Sequence, residues 1–287
     1  MKAIYKKEVK SYLTSMIGYV FIFFILLLEG IYFTAYNLQN AYPLFGTTLS
    51  AVTFIFLILV PVLTMKTIAE ERKQKTDQLL LTAPVSVSEI VLGKFLAVAT
   101  VYAIPVLIIC LYPMIMGKYG TVSYAMAYTA VLGFALLGFA QIAVGVFWSS
   151  VTENPVIAAV VTFIVLFVCY MITGIGSLIP DSSMASLACY MLLVLLAAVW
   201  IYYMIRNLWI AAVIGIAGEA ALAITYVVKS TLFEGSIQKF LSVFDITSHF
   251  DNFTNGILDL QGVVYFLSVI IIFLVLTVQT ITKRRWN

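Results

Sequence analysis

Two adjacent carboxylates, Glu70 and Glu71, open the one stretch of this 287-residue chain where acids and bases crowd together, Lys66 to Lys94. Paired acids can hold a metal or exchange protons, and with Lys75 at the sixth position the spacing approaches an E-E-x-x-x-R pattern suited to intramembrane hydrolysis. That chemistry needs convergent ligands. The single histidine, His249, lies between Asp245 and Asp251 in a distant segment that reads as a solvated loop. Cys110, Cys169 and Cys189 fall inside apolar runs with no C-x-x-C spacing, so neither a zinc site nor a disulfide framework is supported. A nucleotide phosphate cradle requires G-x-x-x-x-G-K-[ST]. Ser88 stands where the first glycine belongs before Gly93-Lys94, and Tyr112 does so before Gly117-Lys118. The chain is therefore expected to have no catalytic residue, metal or cofactor of its own, and energy for any work must come from a partner or an ion gradient.

Glu29 and Glu219 are the ionisable side chains well inside apolar runs. Such a group is expensive at the bilayer centre, so each faces a pathway or proton relay, or else Glu29 snorkels outward and Glu219 pairs with a neighbouring helix. A gradient-driven secondary transporter with Glu219 as proton carrier is the alternative functional reading.

The charged stretch punctuates as structure. Thr67 and Glu70 have capping-box spacing for a helix running to about Leu81, Pro84 stops it, and Ser86 with Glu89 starts the next helix. The expected product is a short, stiff, charged helix between two spans, able to take a push from a partner.

The elements that must position this helix are apolar. Hydrophobic residues make up 63% of the chain and charged ones 10%, and mean hydropathy is +1.09. Soluble proteins average roughly 45–50% apolar and about 25% charged. Unbroken apolar runs of about 20 residues, without dyad alternation, indicate transmembrane helices and exclude a barrel. Runs at 16–36, 48–65, 95–116, 124–148, 156–179, 187–205, 209–228 and 263–281 predict an all-α polytopic integral membrane protein of about eight spans. Six remain if the 187–228 pair lies outside the bilayer core. The first run is too long for a signal-peptide core and is expected to be retained.

Ahead of it, residues 1–15 put Ile4, Tyr5, Val9, Tyr12 and Leu13 on one helical face and Lys2, Lys6, Lys7 and Lys10 around the other, which suits an interfacial helix. With both termini cytoplasmic, all basic residues except Lys118, Lys229 and Lys239 fall inside. The net charge of +3 follows this topology and does not signal a nucleic-acid partner. Residues 1–287 read as one membrane domain, with an inner connection at 66–94 and an outer, re-entrant connection at 229–262. In the latter, Ile237, Phe240, Leu241 and Phe244 have helical spacing, and a second apolar face follows a cap at Ser248 and Asp251. Gly133, Gly138, Gly145, Gly215 and Gly218 would allow close helix packing.

The run Glu70-Glu71-Arg72-Lys73, with Thr76, Asp77, Leu79, Leu80 and Pro84 after it and Gly93-Lys94-Phe95 closing it, resembles the coupling-helix region of type-2 ATP-binding-cassette (ABC) exporter permeases. Residues 5–20 and Phe244 to Asp259 are similar to the gliding-motility-type branch of that family. The resemblance implies a permease subunit of an exporter in the bacterial cytoplasmic membrane. It would pair with a second permease chain, as homodimer or heterodimer, and with two cytosolic ABC ATPase subunits that bind the ATP and Mg. It further implies that Glu70, Glu71, Arg72, Thr76, Asp77, Leu79, Leu80, Pro84, Gly93 and Lys94 contact or position the ATPase. Membrane lipid and an extracytoplasmic accessory protein complete the expected partners.

Overall fold

The computed structural model describes residues 1–78, 85–205 and 207–285, and every regular element among them is helical. In chain order these are α1 (Lys2–Thr14), α2 (Met16–Tyr32) continuing as a π-helix (Phe33–Gln39), α3 (Phe45–Thr53), α4 (Phe56–Thr64) and α5 (Ala69–Lys73). There follow α6 (Val87–Ile109), α7 (Tyr112–Met116), α8 (Tyr124–Val151), α9 (Pro155–Ser177), α10 (Ser183–Ile205) and α11 (Leu208–Val228). The series ends with α12 (Ser236–Ser242), α13 (Asp251–Thr254) and α14 (Leu260–Arg285).

Helix thus occupies each of the eight apolar runs, but not as eight straight spans. Five helical stretches are long and apolar enough to cross a bilayer, Met16–Gln39, Val87–Met116, Tyr124–Val151, Pro155–Ser177 and Leu260–Arg284. Counting two bent pairs brings the number to seven. The expected second span is one of these: α3 and α4 meet at 60° across Phe54-Ile55. At the bend the Thr53 hydroxyl donates back to the Ser50 carbonyl, a local bond of the kind that often accompanies bent helices. The other pair joins α11 to the helical turns at 230–242 at 116°, so the start of the 229–262 connection is helical.

The chain forms two compact units, Met1–Val168 with Ile246–Asn287, and Cys169–Asp245. In the first, α8 is the central helix and packs on α14, α4, α6, α3 and α13. Its glycines explain the close approach. A Cβ at Gly138 would overlap the Tyr102 ring, and one at Gly145 would overlap Thr64. The core around them is aromatic: Tyr102 packs edge-on against Phe56 and Phe139, and its hydroxyl donates to the Phe134 carbonyl at 2.7 Å.

In the second unit α10 and α11 form a hairpin, closed at one end by Tyr190, Tyr226, Phe233 and Phe240. Gln238 Nε2 donates to the Ile179 carbonyl at 2.9 Å, and the Thr173 hydroxyl donates to Asp245 Oδ2. In the first unit His249 stacks flat on Tyr265, with ring centroids 3.7 Å apart.

Candidate functional site

The charged connection is folded inward and tied to the spans. Lys94, about two turns into α6, is 2% exposed, yet its ammonium is paired. It donates to Glu8 Oε1 at 3.0 Å and to the Thr67 carbonyl at 2.8 Å, and forms an ion pair with Glu71 Oε2 at 2.9 Å. Lys7 lies 3.3 Å from Glu71 and 3.8 Å from Glu8, so two cations face two carboxylates. A buried charge is tolerated only when paired and hydrogen-bonded in this way. Gly93, the neighbour of Lys94, lets α1 lie against α6: a Cβ there would stand 3.3 Å from Ile4 Cγ2.

Tyr12 supports the same junction from α1. Its hydroxyl donates to the Leu63 carbonyl at 3.2 Å and pairs with the Thr67 hydroxyl at 3.1 Å. Burial pushes the phenol well above its usual range, the Thr67 hydrogen bond opposes this, and Glu8, Glu70 and Glu71 add to the rise. It therefore stays a neutral hydroxyl. The Thr67 hydroxyl, engaged with Tyr12 and donating to the Thr64 carbonyl, does not cap the following helix as the spacing predicts.

The cap comes from another span. Ser149 Oγ, near the end of α8, accepts from the backbone N–H groups of Ile68 at 3.0 Å and Ala69 at 3.1 Å, and donates to the Met65 carbonyl at 3.1 Å. One hydroxyl thereby satisfies donors that every helix start leaves without an internal partner. Next to it, Arg72 Nη1 donates to the Ser150 carbonyl. Arg72 Nη2 lies 3.6 Å from Glu153, which Arg284 of α14 approaches at 3.3 Å. A pocket of about 30 Å³ remains, with Glu71, Arg72, Asp77, Lys94, Ser150 and Arg284 among its walls.

The expected single rod to Leu81 is interrupted. α5 ends at Lys73, Gln74 to Thr76 form turns, and Lys75 adopts φ 57°, a left-handed conformation that breaks a right-handed helix. Lys73, Gln74, Lys75 and Thr76 form the exposed tip. Glu70 is partly exposed and pairs with Lys66 at 3.4 Å. Leu79, Leu80 and Pro84 lie outside the described residues. The second cap matches expectation: Ser86 Oγ accepts from the Glu89 N–H at 3.3 Å.

Of the sequence-predicted residues, then, Glu71, Arg72, Gly93 and Lys94 meet in one braced junction. Glu70 and Thr76 sit outward, and Asp77 lines the pocket. The junction also uses Glu8, Tyr12, Ser149, Ser150, Glu153 and Arg284. Their signal in the sequence was slight, a lone acid among four lysines and a polar Ser149-Ser150 pair ending an apolar run.

The two carboxyls of the apolar runs belong to different units. Glu29 is 0% exposed and neither oxygen has a hydrogen-bond partner, so it does not snorkel. Glu219 belongs to the Cys169–Asp245 unit and lines an open groove of about 640 Å³ along α10 and α11, walled by Leu195, Ala198, Gly215 and Ile216. Its Oε1 is buried without a partner, so no neighbouring helix satisfies that atom.

A helical body with several bilayer-length spans, whose most charged connection is fastened to four of its helices, defines a polytopic membrane protein. The chain belongs to the ABC-2 family of transporters: the family profile described as "ABC-2 family transporter protein" matches residues 2–284. It is accordingly the membrane component, or permease, of an ABC transporter, a class whose members work with ABC ATPases. No curated protein matches it.

Proposed function

We propose that this permease belongs to the gliding-motility-type branch and works in the export direction, coupled to ATP hydrolysis through the 66–94 connection. In the assembled transporter two permease chains pair with two cytosolic ATPases. The charged end, with both termini, faces the cytoplasm of a bacterial cell, in keeping with the positive-inside partition of lysine and arginine. The exposed turn at Lys73 to Thr76, with the residues that follow it, docks on the ATPase. The braced junction behind it converts a displacement of that turn into motion of the spans.

One observation carries this reading. Lys94 ties α5 to α1 and α6 through Glu71 and Glu8, while Ser149 ties the start of α5 to α8. A displaced α5 cannot slide free of these helices without uncovering a buried ammonium and two backbone N–H groups. In the proposed cycle the spans move with α5 between two packed arrangements, and the ATPase biases the choice.

Glu71, Arg72, Gly93 and Lys94 are positioning residues in this scheme, and Lys73, Thr76 and Asp77 are nearer the partner. In the complex with its ATPase, reconstituted in liposomes, the double variant Glu71→Gln with Lys94→Gln is expected to hydrolyse ATP while transport falls at least tenfold. Transport per ATP equal to wild type contradicts the scheme.

A further inference from the structure

Glu29 is unexplained by anything above. It sits in the first span, fully buried, with both carboxyl oxygens lacking a hydrogen-bond partner. Leucine or methionine would fill the same volume without leaving orphaned polar atoms, so packing does not account for a carboxyl there. An ionised carboxylate without a donor, inside a membrane span, is prohibitively costly, and the group neutralises by holding its proton.

Its surroundings reinforce this. Among the described residues, Tyr102 of α6 and Tyr112 of α7 are ionisable side chains near enough to feel a charge at Glu29, and both are neutral phenols. The Tyr102 hydroxyl is committed to the Phe134 carbonyl. α3 and α4, which also pack on α2, carry no ionisable side chain. Glu8 of α1 is engaged with Lys94, and on Glu29's own span Tyr32 stacks on Tyr36. Among the described residues, none of these groups supplies a compensating positive charge.

The backbone changes register one turn beyond this residue. The Phe33 N–H is shared between the carbonyls of Glu29 and Gly30, and the π-helix Phe33–Gln39 follows. Beyond it, the Asn40 N–H reaches the Ala35 carbonyl at 3.2 Å, the wide i→i+5 spacing. The far end is pinned by Asn37, whose Nδ2 donates to the Tyr42 carbonyl at 2.8 Å while its Oδ1 accepts from Thr48. A π segment can return to α register by a one-residue shift. With the Asn37 end fixed, such a shift would turn α2 and carry Glu29 around the helix axis.

We infer that Glu29 is a proton-binding site: its carboxyl is held as the neutral acid in this conformation, and a register shift in the adjoining π-helix turns it toward water in another, where the proton leaves. The step is an ionisation, carboxylic acid to carboxylate plus a proton taken by water. Linkage fixes the sign. The conformation with Glu29 occluded binds the proton more tightly, so it is favoured at low pH and loses ground as pH rises. Proton release during the cycle rests on the ATP-driven reading above, whereas the neutral acid at rest does not.

Infrared spectroscopy separates the two. In lipid nanodiscs at neutral pH, the resting wild-type permease is expected to show the carbonyl band of a protonated acid free of hydrogen bonds, and Glu29→Gln is expected to lack it. A hydrophobic carbodiimide should modify Glu29 in the wild-type chain, a check independent of any variant. Absence of both signals overturns the proposal. In the complex with its ATPase, hydrolysing ATP, the band should fall. A band unchanged while ATP is hydrolysed and cargo moves shows a structural acid only and overturns proton release. Failure of ATP to drive cargo would instead count against the coupling scheme, leaving the resting band to be judged by itself.

Discussion

Lys94 Nζ stands 2.9 Å from Glu71 Oε2 with the lysine side chain almost wholly removed from solvent. The pair joins the charged connection to the start of the next span. Its worth lies in fixing one arrangement, because removing one partner strands the others.

Lys94→Met keeps the length of the side chain and leaves Glu8 and Glu71 facing one another without their cation. The expected loss is about 3–5 kcal/mol. Glu71→Gln should cost less, since Lys94 retains Glu8. Glu70→Gln, at a partly exposed pair, should change stability by at most about 1 kcal/mol. Thermal unfolding of the purified variants in one detergent gives the order, and equal losses at positions 70 and 71 would contradict the burial of Glu71.

Ser149→Ala removes the acceptor for Ile68 and Ala69 that comes from the second span after them in the chain. The expected cost is about 0.5–2 kcal/mol, the range for losing a helix cap. Hydrogen exchange should rise at Ile68 and Ala69 while protection in the middle of α8 is unchanged. No change at those two amides would remove Ser149 from the junction.

Three glycine-to-alanine changes separate packing from propensity. Gly138→Ala drives a methyl into the Tyr102 ring, and overpacking of this kind costs about 1–3 kcal/mol. Gly145→Ala meets Thr64 and should behave alike. Gly174→Ala, in α9 with nothing within 4 Å of its Cβ position, should stabilise by roughly 0.4–1 kcal/mol through helix propensity and a restricted unfolded chain. Thermal shifts of one sign for all three would contradict the packing.

The left-handed Lys75 makes the tip testable by itself. Lys75→Gly relieves a side-chain conflict and should be neutral or stabilising by up to about 1 kcal/mol, whereas Lys75→Val should destabilise by a similar amount or more. Two-dimensional NMR or proteolysis rates of the 66–94 connection would show the difference. The reverse order would restore the unbroken rod that spacing predicts.

Much of the architecture was legible because its signals are local. The apolar runs at 16–36, 95–116, 124–148, 156–179 and 263–281 fall on the long helical stretches Met16–Gln39, Val87–Met116, Tyr124–Val151, Pro155–Ser177 and Leu260–Arg284, and Ser86 with Glu89 gave a helix start correctly. The bend between α3 and α4 left no such mark, since Phe54 and Ile55 continue the apolar run. The direction in which Glu71, Arg72 and Lys94 point was equally hidden. Those residues read as one charged segment, yet their partners Glu8, Ser149, Ser150 and Glu153 come from distant parts of the chain, brought close only by packing. Thr67 was expected to cap its own helix, but Tyr12 and the Thr64 carbonyl hold its hydroxyl and a serine from another span took that role.

The decisive measurement is a crosslink from the exposed turn. A photoreactive residue placed at Thr76, in the transporter assembled with its ATPase in native membranes, is expected to capture the ATPase, and the adduct should shift when ATP is trapped. The same probe at Tyr119, on the opposite side of the bilayer in the proposed topology, should not capture it. Capture from Tyr119 with none from Thr76 would place the charged connection on the other side of the membrane and contradict its role in coupling.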